Sequence, residues 1–94
     1  MDDNVDYRQQ IADKLLVNTE IVGKLSINDD FVDKMATIML FLNDHPHSST
    51  DQITEITGKS VSRTKNYMQA LVQLGLVIAE GGNRNRTYRL KQEE

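Results

Sequence analysis

Two glycines and two capping patterns set tight limits on the stretch from Ser49 to Leu76. Ser49-x-x-Gln52 is a capping-box pattern, in which a hydroxyl and an amide satisfy each other's backbone donors at a helix start. Ile53 and Ile56 then fall on one inward face, and Gly58 stops the run in a conformation that favours the left-handed region. Ser60 caps a second helix. Its inward positions are Thr64, Met68 and Leu71, with Val72 and Leu74 extending the buried edge. Gly75 ends this helix and Leu76 returns the chain to the core. The spacing predicts two short helices joined by a turn of three residues.

The residues that follow change period. Leu76 and Ile78, then Tyr88 and Leu90, alternate with polar neighbours, which predicts two half-buried strands. Gly81-Gly82-Asn83-Arg84-Asn85 between them is a turn built of residues that tolerate positive φ. A tight helix pair of this kind is a helix-turn-helix, and the hairpin behind it is a wing. The expected fold class is mainly α with a small β-hairpin (α+β), a winged helix-turn-helix preceded by an N-terminal helical arm.

Upstream, Ile11-Ala-Asp-Lys-Leu15, Ile21-Val-Gly-Lys-Leu25 and Phe31-Val-Asp-Lys-Met35 repeat one pattern at a spacing of ten, with Asn18 and Asn28 at matching places. Ten residues of unbroken α-helix leave a net offset of roughly 80° from whole turns. One long helix would spiral the apolar pairs around its surface, so short helices restarted at each Asn suit the pattern better. Residues 1–10 are polar and read as a frayed lead. Residues 1–27 form an acidic arm, able to dock on the domain or to pair with another chain. Residues 28–91 form the winged domain and 92–94 a tail. Asn28-Asp29-Asp30 starts the domain's first helix, with acids in its positive first turn. Phe31, Met35, Ile38, Met39 and Leu42 give that helix an apolar face, which Val32, Ala36, Leu40 and Phe41 widen. The extra width leaves a face for the arm or for a second copy, a route to a homodimer.

Charge is divided along the chain. Residues 1–57 carry eleven acids and four bases, a balance of −7, whereas residues 58–92 carry seven bases and one acid, a balance of +6. The positive charge falls on the second helix of the motif and on the wing, where phosphates would sit. The outward set on that helix is Ser62, Arg63, Lys65, Asn66 and Gln69, with Lys59 and Ser60 just ahead and Arg84 and Arg86 on the wing. Arg bonds guanine bidentately, Asn and Gln bond adenine, and Ser and Lys meet phosphates. The expected partner is double-stranded DNA, with the helix in the major groove and the wing on the backbone. Tyr67 lies at the edge of this face and is expected to pack on the core.

Other classes find little support. His45 and His47 have no third or fourth metal ligand at a recognisable spacing. Phosphate loops, zinc-protease motifs and hydrolase triads are missing from the sequence, so neither catalysis nor a cofactor is expected. No apolar run reaches membrane-spanning length, and the acidic start Met-Asp-Asp-Asn-Val-Asp is unlike a signal peptide. With no cysteine in the chain, the expected setting is the cytoplasm.

The stretch Ile38–Leu90 resembles the winged helix-turn-helix domains of bacterial transcriptional regulators, through Gly58-x-Ser60, the Met68/Leu71 pair, Gly75-Leu76 and Tyr88. The Asp-Lys-Leu-type repeats leading into it resemble, more narrowly, the C-terminal region of RecG-related regulators. Those proteins carry an AlbA/Schlafen-type ATP-binding domain and are often labelled ATP-dependent DNA helicases. The resemblance implies that this chain is the DNA-binding part of a larger protein and that any ATPase or helicase activity lies outside it. The same resemblance leaves room for an interaction module instead. Three positions depart from the family pattern. Lys59 stands at a turn position that is usually apolar, and Thr64 at a core position that is usually Val, which together predict a loosely packed turn. Ser48 stands where a short first strand usually has an apolar residue, which weakens the case for that strand.

Overall fold

The computed structural model describes residues 3–82 and 85–91, the side chains of 3–5 excepted. Three helices precede the motif: α1 (Asp3–Val17), α2 (Thr19–Leu25) and α3 (Asp29–Asp44). They break where the asparagines stand, though each asparagine acts differently. Asn18 closes α1: its Nδ2 donates to the Lys14 carbonyl at 2.8 Å and it makes no side-chain cap bond to α2. Asn28 opens α3 by accepting the Phe31 N–H at 2.9 Å, with Asp29 and Asp30 in the positive first turn.

These breaks re-aim the repeat. Ile11, Ile21 and Phe31, the first position of each copy, are all buried in one core. A continuous helix would have turned them to different sides; restarted helices return each to the same interior. The arm therefore docks on the domain. α1 packs against α3, and Ile11 is 0% exposed. Residues 3–10 are not a frayed lead, because Tyr7 packs on the core and Arg8 Nη1 meets Asp33 Oδ1 at 2.8 Å. Burial of Ile11 one turn later holds these turns against α3.

The helix-turn-helix comprises α4 (Thr50–Thr57) and α5 (Val61–Gln73). Both halves of the capping box form: the Ser49 N–H donates to Gln52 Oε1 at 2.9 Å and the Gln52 N–H to Ser49 Oγ at 3.3 Å. Gly58 ends α4 at φ 69°, a region where a side chain is strained. α3 is the central helix, packed on α1, α4, α5 and the sheet. Phe31 meets Tyr67 edge to face at a centroid distance of 4.7 Å, joining α3 to α5. Val72 departs from expectation: it is 38% exposed, while its neighbours Leu71 and Leu74 are buried.

Three antiparallel strands complete the fold: β1 (Ser48–Ser49), β2 (Val77–Glu80) and β3 (Thr87–Leu90), in the order β1-β3-β2. The architecture is thus α+β, a helix-turn-helix followed by a wing. The first strand exists despite its serine. Ser48 pairs with Tyr88, and its Oγ donates to the His45 carbonyl at 2.6 Å, so a buried hydroxyl is satisfied without an apolar residue. The face of β2 differs from the expected one. Val77 and Ala79 pair with Leu90 and Tyr88 and pack on the core, which turns Ile78 to the other side. Among the described residues, no helix is long and apolar enough to cross a membrane.

Candidate nucleic-acid interface

The turn between α4 and α5 is closed by two threonines. Thr57 Oγ1 donates to the Thr54 carbonyl at 3.1 Å and Thr64 Oγ1 to the Ser60 carbonyl at 2.9 Å. Both hydroxyl protons are used, so the 3.5 Å approach of the two oxygens is a packing contact. Thr57 is 6% exposed and Thr64 0%, so the turn is well packed rather than loose. Hydroxyls that back-bond to the preceding turn fill the space that Val would fill. Lys59 is half-buried here, its N–H facing Thr57 Oγ1 at 3.4 Å.

Ser60 Oγ accepts the Arg63 N–H at 3.2 Å, so its oxygen is engaged as the cap of α5. Ser62, Arg63, Lys65, Asn66 and Gln69 are all exposed, as expected, and so is Arg86 on the wing. The side chains of Lys59, Arg63, Lys65 and Arg86 make no ion pair among the described residues. Arg84 lies outside the described residues. Arg89 differs from the others. Its Nε sits 3.1 Å from Glu80 Oε1, which His47 Nδ1 also approaches at 3.3 Å. That base is spent on holding β3 to β2, and the wing's free charge at the described positions rests on Arg86.

The charge of α5 runs against its own dipole. Helix N-termini favour acids, by about 0.3–1 kcal/mol each. α3 and α4 follow that rule with Asp29, Asp30 and Asp51, but α5 has no acid in its first turn and places Arg63 there. The N-terminal end of α5 is therefore doubly positive, through its unsatisfied N–H groups and through Arg63. Such an end suits an anion supplied from outside.

The structure divides the predicted residues between two surfaces. Lys65 and Gln69 line a groove of ≈ 590 Å³ between α5 and the wing, together with Arg86. Ser62, Arg63 and Asn66 are not part of that lining and occupy the remaining outward surface of α5. Sequence reasoning missed Gln73 and Thr50, which also line the groove. Gln73 was within reach of that reasoning: it stands four residues after Gln69, one helical turn along the same stripe. Tyr67, by contrast, is 0% exposed and belongs to the core. In the loop before β1, the His45 ring lies 4.8 Å from Phe41 and His47 engages Glu80, so each imidazole has a neighbour of its own.

Comparison with family models gave no match, and neither did comparison with curated proteins. Among solved structures, the chain is similar to part of the DIP2311 protein from Corynebacterium diphtheriae, at 30% identity and a TM-score of 0.60. The likeness covers 65% of this chain and 11% of that one, so the same kind of fold sits there inside a much longer polypeptide.

Proposed function

We propose that this chain is a double-stranded-DNA-binding module, with α5 in the major groove and the wing on the backbone. The observation that carries the reading is the face of α5. It presents Arg63 and Lys65 without intramolecular partners among the described residues, on a helix start where the dipole would favour acids. Arg63 and Asn66 are the residues placed to read bases, and Lys59, Lys65 and Arg86 to meet phosphates. The resemblance to bacterial regulators, and to RecG-related ones in particular, supports a role as the DNA-reading part of a larger ATP-binding protein. A selection from random duplexes, read by sequencing, tests the reading. An enriched motif that Arg63→Ala or Asn66→Ala alters supports it; no retained duplex at low salt removes it.

Leu16 and Val17, 76% and 78% exposed at the end of α1, favour a second reading as an interaction module that self-associates. Sedimentation over a range of concentration tests it. A single monomeric mass throughout would exclude it.

A further inference from the structure

The arm is held by one stripe of side chains and joined to the rest by a lightly built junction. Tyr7, Ile11 and Leu15 stand four residues apart on α1 and pack on the core, with α3 as the helix's main neighbour. On another side of α1, a cleft of ≈ 700 Å³ runs between Gln10, Lys14 and Val17 and the residues Leu76 and Leu90. At the junction, Asn18 gives α2 no side-chain cap bond, and α2 is seven residues long with Gly23 inside it. A continuous helix would pair the last carbonyls of α1 with the first N–H groups of α2. The break forfeits that pairing, and the Asn18 amide takes up the Lys14 carbonyl in its place. Leu16 and Val17, directly before the break, lie off the inward stripe. At 76% and 78% they are the most exposed large apolar side chains among the described residues.

We propose that α1 exchanges between two copies of this chain. Straightening at Asn18 joins α1 and α2 into one helix, carries α1 off its own α3 and lays it on the α3 of a second copy. The second copy's α1 moves the opposite way. The partner is a second copy because only the same α1 regains every contact of the arm: the stripe Tyr7, Ile11 and Leu15 is buried again, and Arg8 meets an Asp33. The two straightened helices pass each other antiparallel at the two-fold axis, which sets Leu16 and Val17 of one copy against those of the other. The exposed pair next to the junction is thereby covered. The inference rests on the self-association reading and supplies its mechanism. It leaves α4, α5 and the wing of each copy as they are.

Charge reversal across the arm contact tests the exchange. Arg8→Glu sets two acids against each other within one chain, and Asp33→Arg sets two bases. Mixed and equilibrated, these two variants recover opposite charges at both contacts when their arms exchange. Native mass spectrometry should then show at least about three heterodimers for every homodimer, where random pairing gives about one. Arg8→Glu mixed with Asp13→Arg carries the same net charges without the complementary contact and should pair at random. The junction gives a second readout. Asn18→Ala favours the straight helix and Asn18→Gly the break, while both lose the amide bond to Lys14. Each dimer holds two junctions, so sedimentation equilibrium should show Asn18→Ala associating at least about tenfold more strongly than Asn18→Gly. Random pairing of Arg8→Glu with Asp33→Arg, or equal association of the two Asn18 variants, in a chain that still dimerises overturns the exchange and leaves self-association through another contact. A single monomeric mass for the unmodified chain at every concentration overturns both.

Discussion

Replacing Ile11 by alanine truncates the most deeply buried residue of the arm. Ile11 is 0% exposed, and α1 packs against α3 around it. Truncating a fully buried isoleucine costs about 2–5 kcal/mol, the sum of lost transfer energy and the cavity left behind. The neighbouring Arg8–Asp33 pair is half-exposed and adds little, at most about 1 kcal/mol. We therefore expect a loss of about 3 kcal/mol, against a total stability of roughly 5–14 kcal/mol for a chain of this length. With a urea m-value of about 1.2 kcal/mol/M, the midpoint should fall by about 2.5 M at unchanged slope. Leu16→Ala, on the same helix but 76% exposed, should stay within about 0.5 kcal/mol of the parent. A loss below about 1 kcal/mol for Ile11→Ala would refute the docking. The arm would then be an appendage, and the buried set Ile11, Ile21 and Phe31 would not form one core.

Tyr67 carries a buried hydroxyl with no hydrogen-bond partner among the described residues. Tyr67→Phe should stabilise the chain by about 1 kcal/mol, since burying an unpaired polar group costs about 1–3 kcal/mol. A destabilisation in urea would show that the hydroxyl is paired in solution. Two glycines should respond with opposite sign. Gly58→Ala should cost about 1 kcal/mol, because φ is 69° and the strain is in the backbone rather than in contacts. Gly23→Ala, inside α2 with open space around it, should gain about 0.5–1 kcal/mol. Thermal melts of both decide the matter, and equal shifts would contradict the assigned conformations.

Local chemistry was legible in the sequence because it depends on neighbours along the chain. The capping box of Ser49 and Gln52, the caps Asn28 and Ser60, and the left-handed Gly58 are each set within four residues. Tertiary choices were less so. The β2 segment Val77-Ile-Ala offers an apolar residue at either parity, and only the ladder to Leu90 and Tyr88 selects Val77 and Ala79. Ser48 forms a strand because the backbone of β3 offers partners, which no side-chain pattern records. Arg89 is one of the seven bases counted over residues 58–92, but folding sets Glu80 beside it. The candidate interface was legible as a list of residues. Its division into a groove and an open patch depends on where the wing folds back over α5.

Binding of duplex DNA by the unpaired bases of the α5–wing face is the proposal from which the rest follows, and its salt dependence is the decisive measurement. Lys59, Arg63, Lys65 and Arg86 are the described cations without ion-pair partners on this face. If Lys59, Lys65 and Arg86, the three assigned to phosphates, are all neutralised by them, the logarithm of the association constant should fall with the logarithm of salt at a slope of roughly −3. Each alanine at Lys65 or Arg86 should reduce that slope by about 0.9. A titration that shows no binding to mixed duplex at high micromolar protein and low salt would contradict the claim. So would a slope near zero.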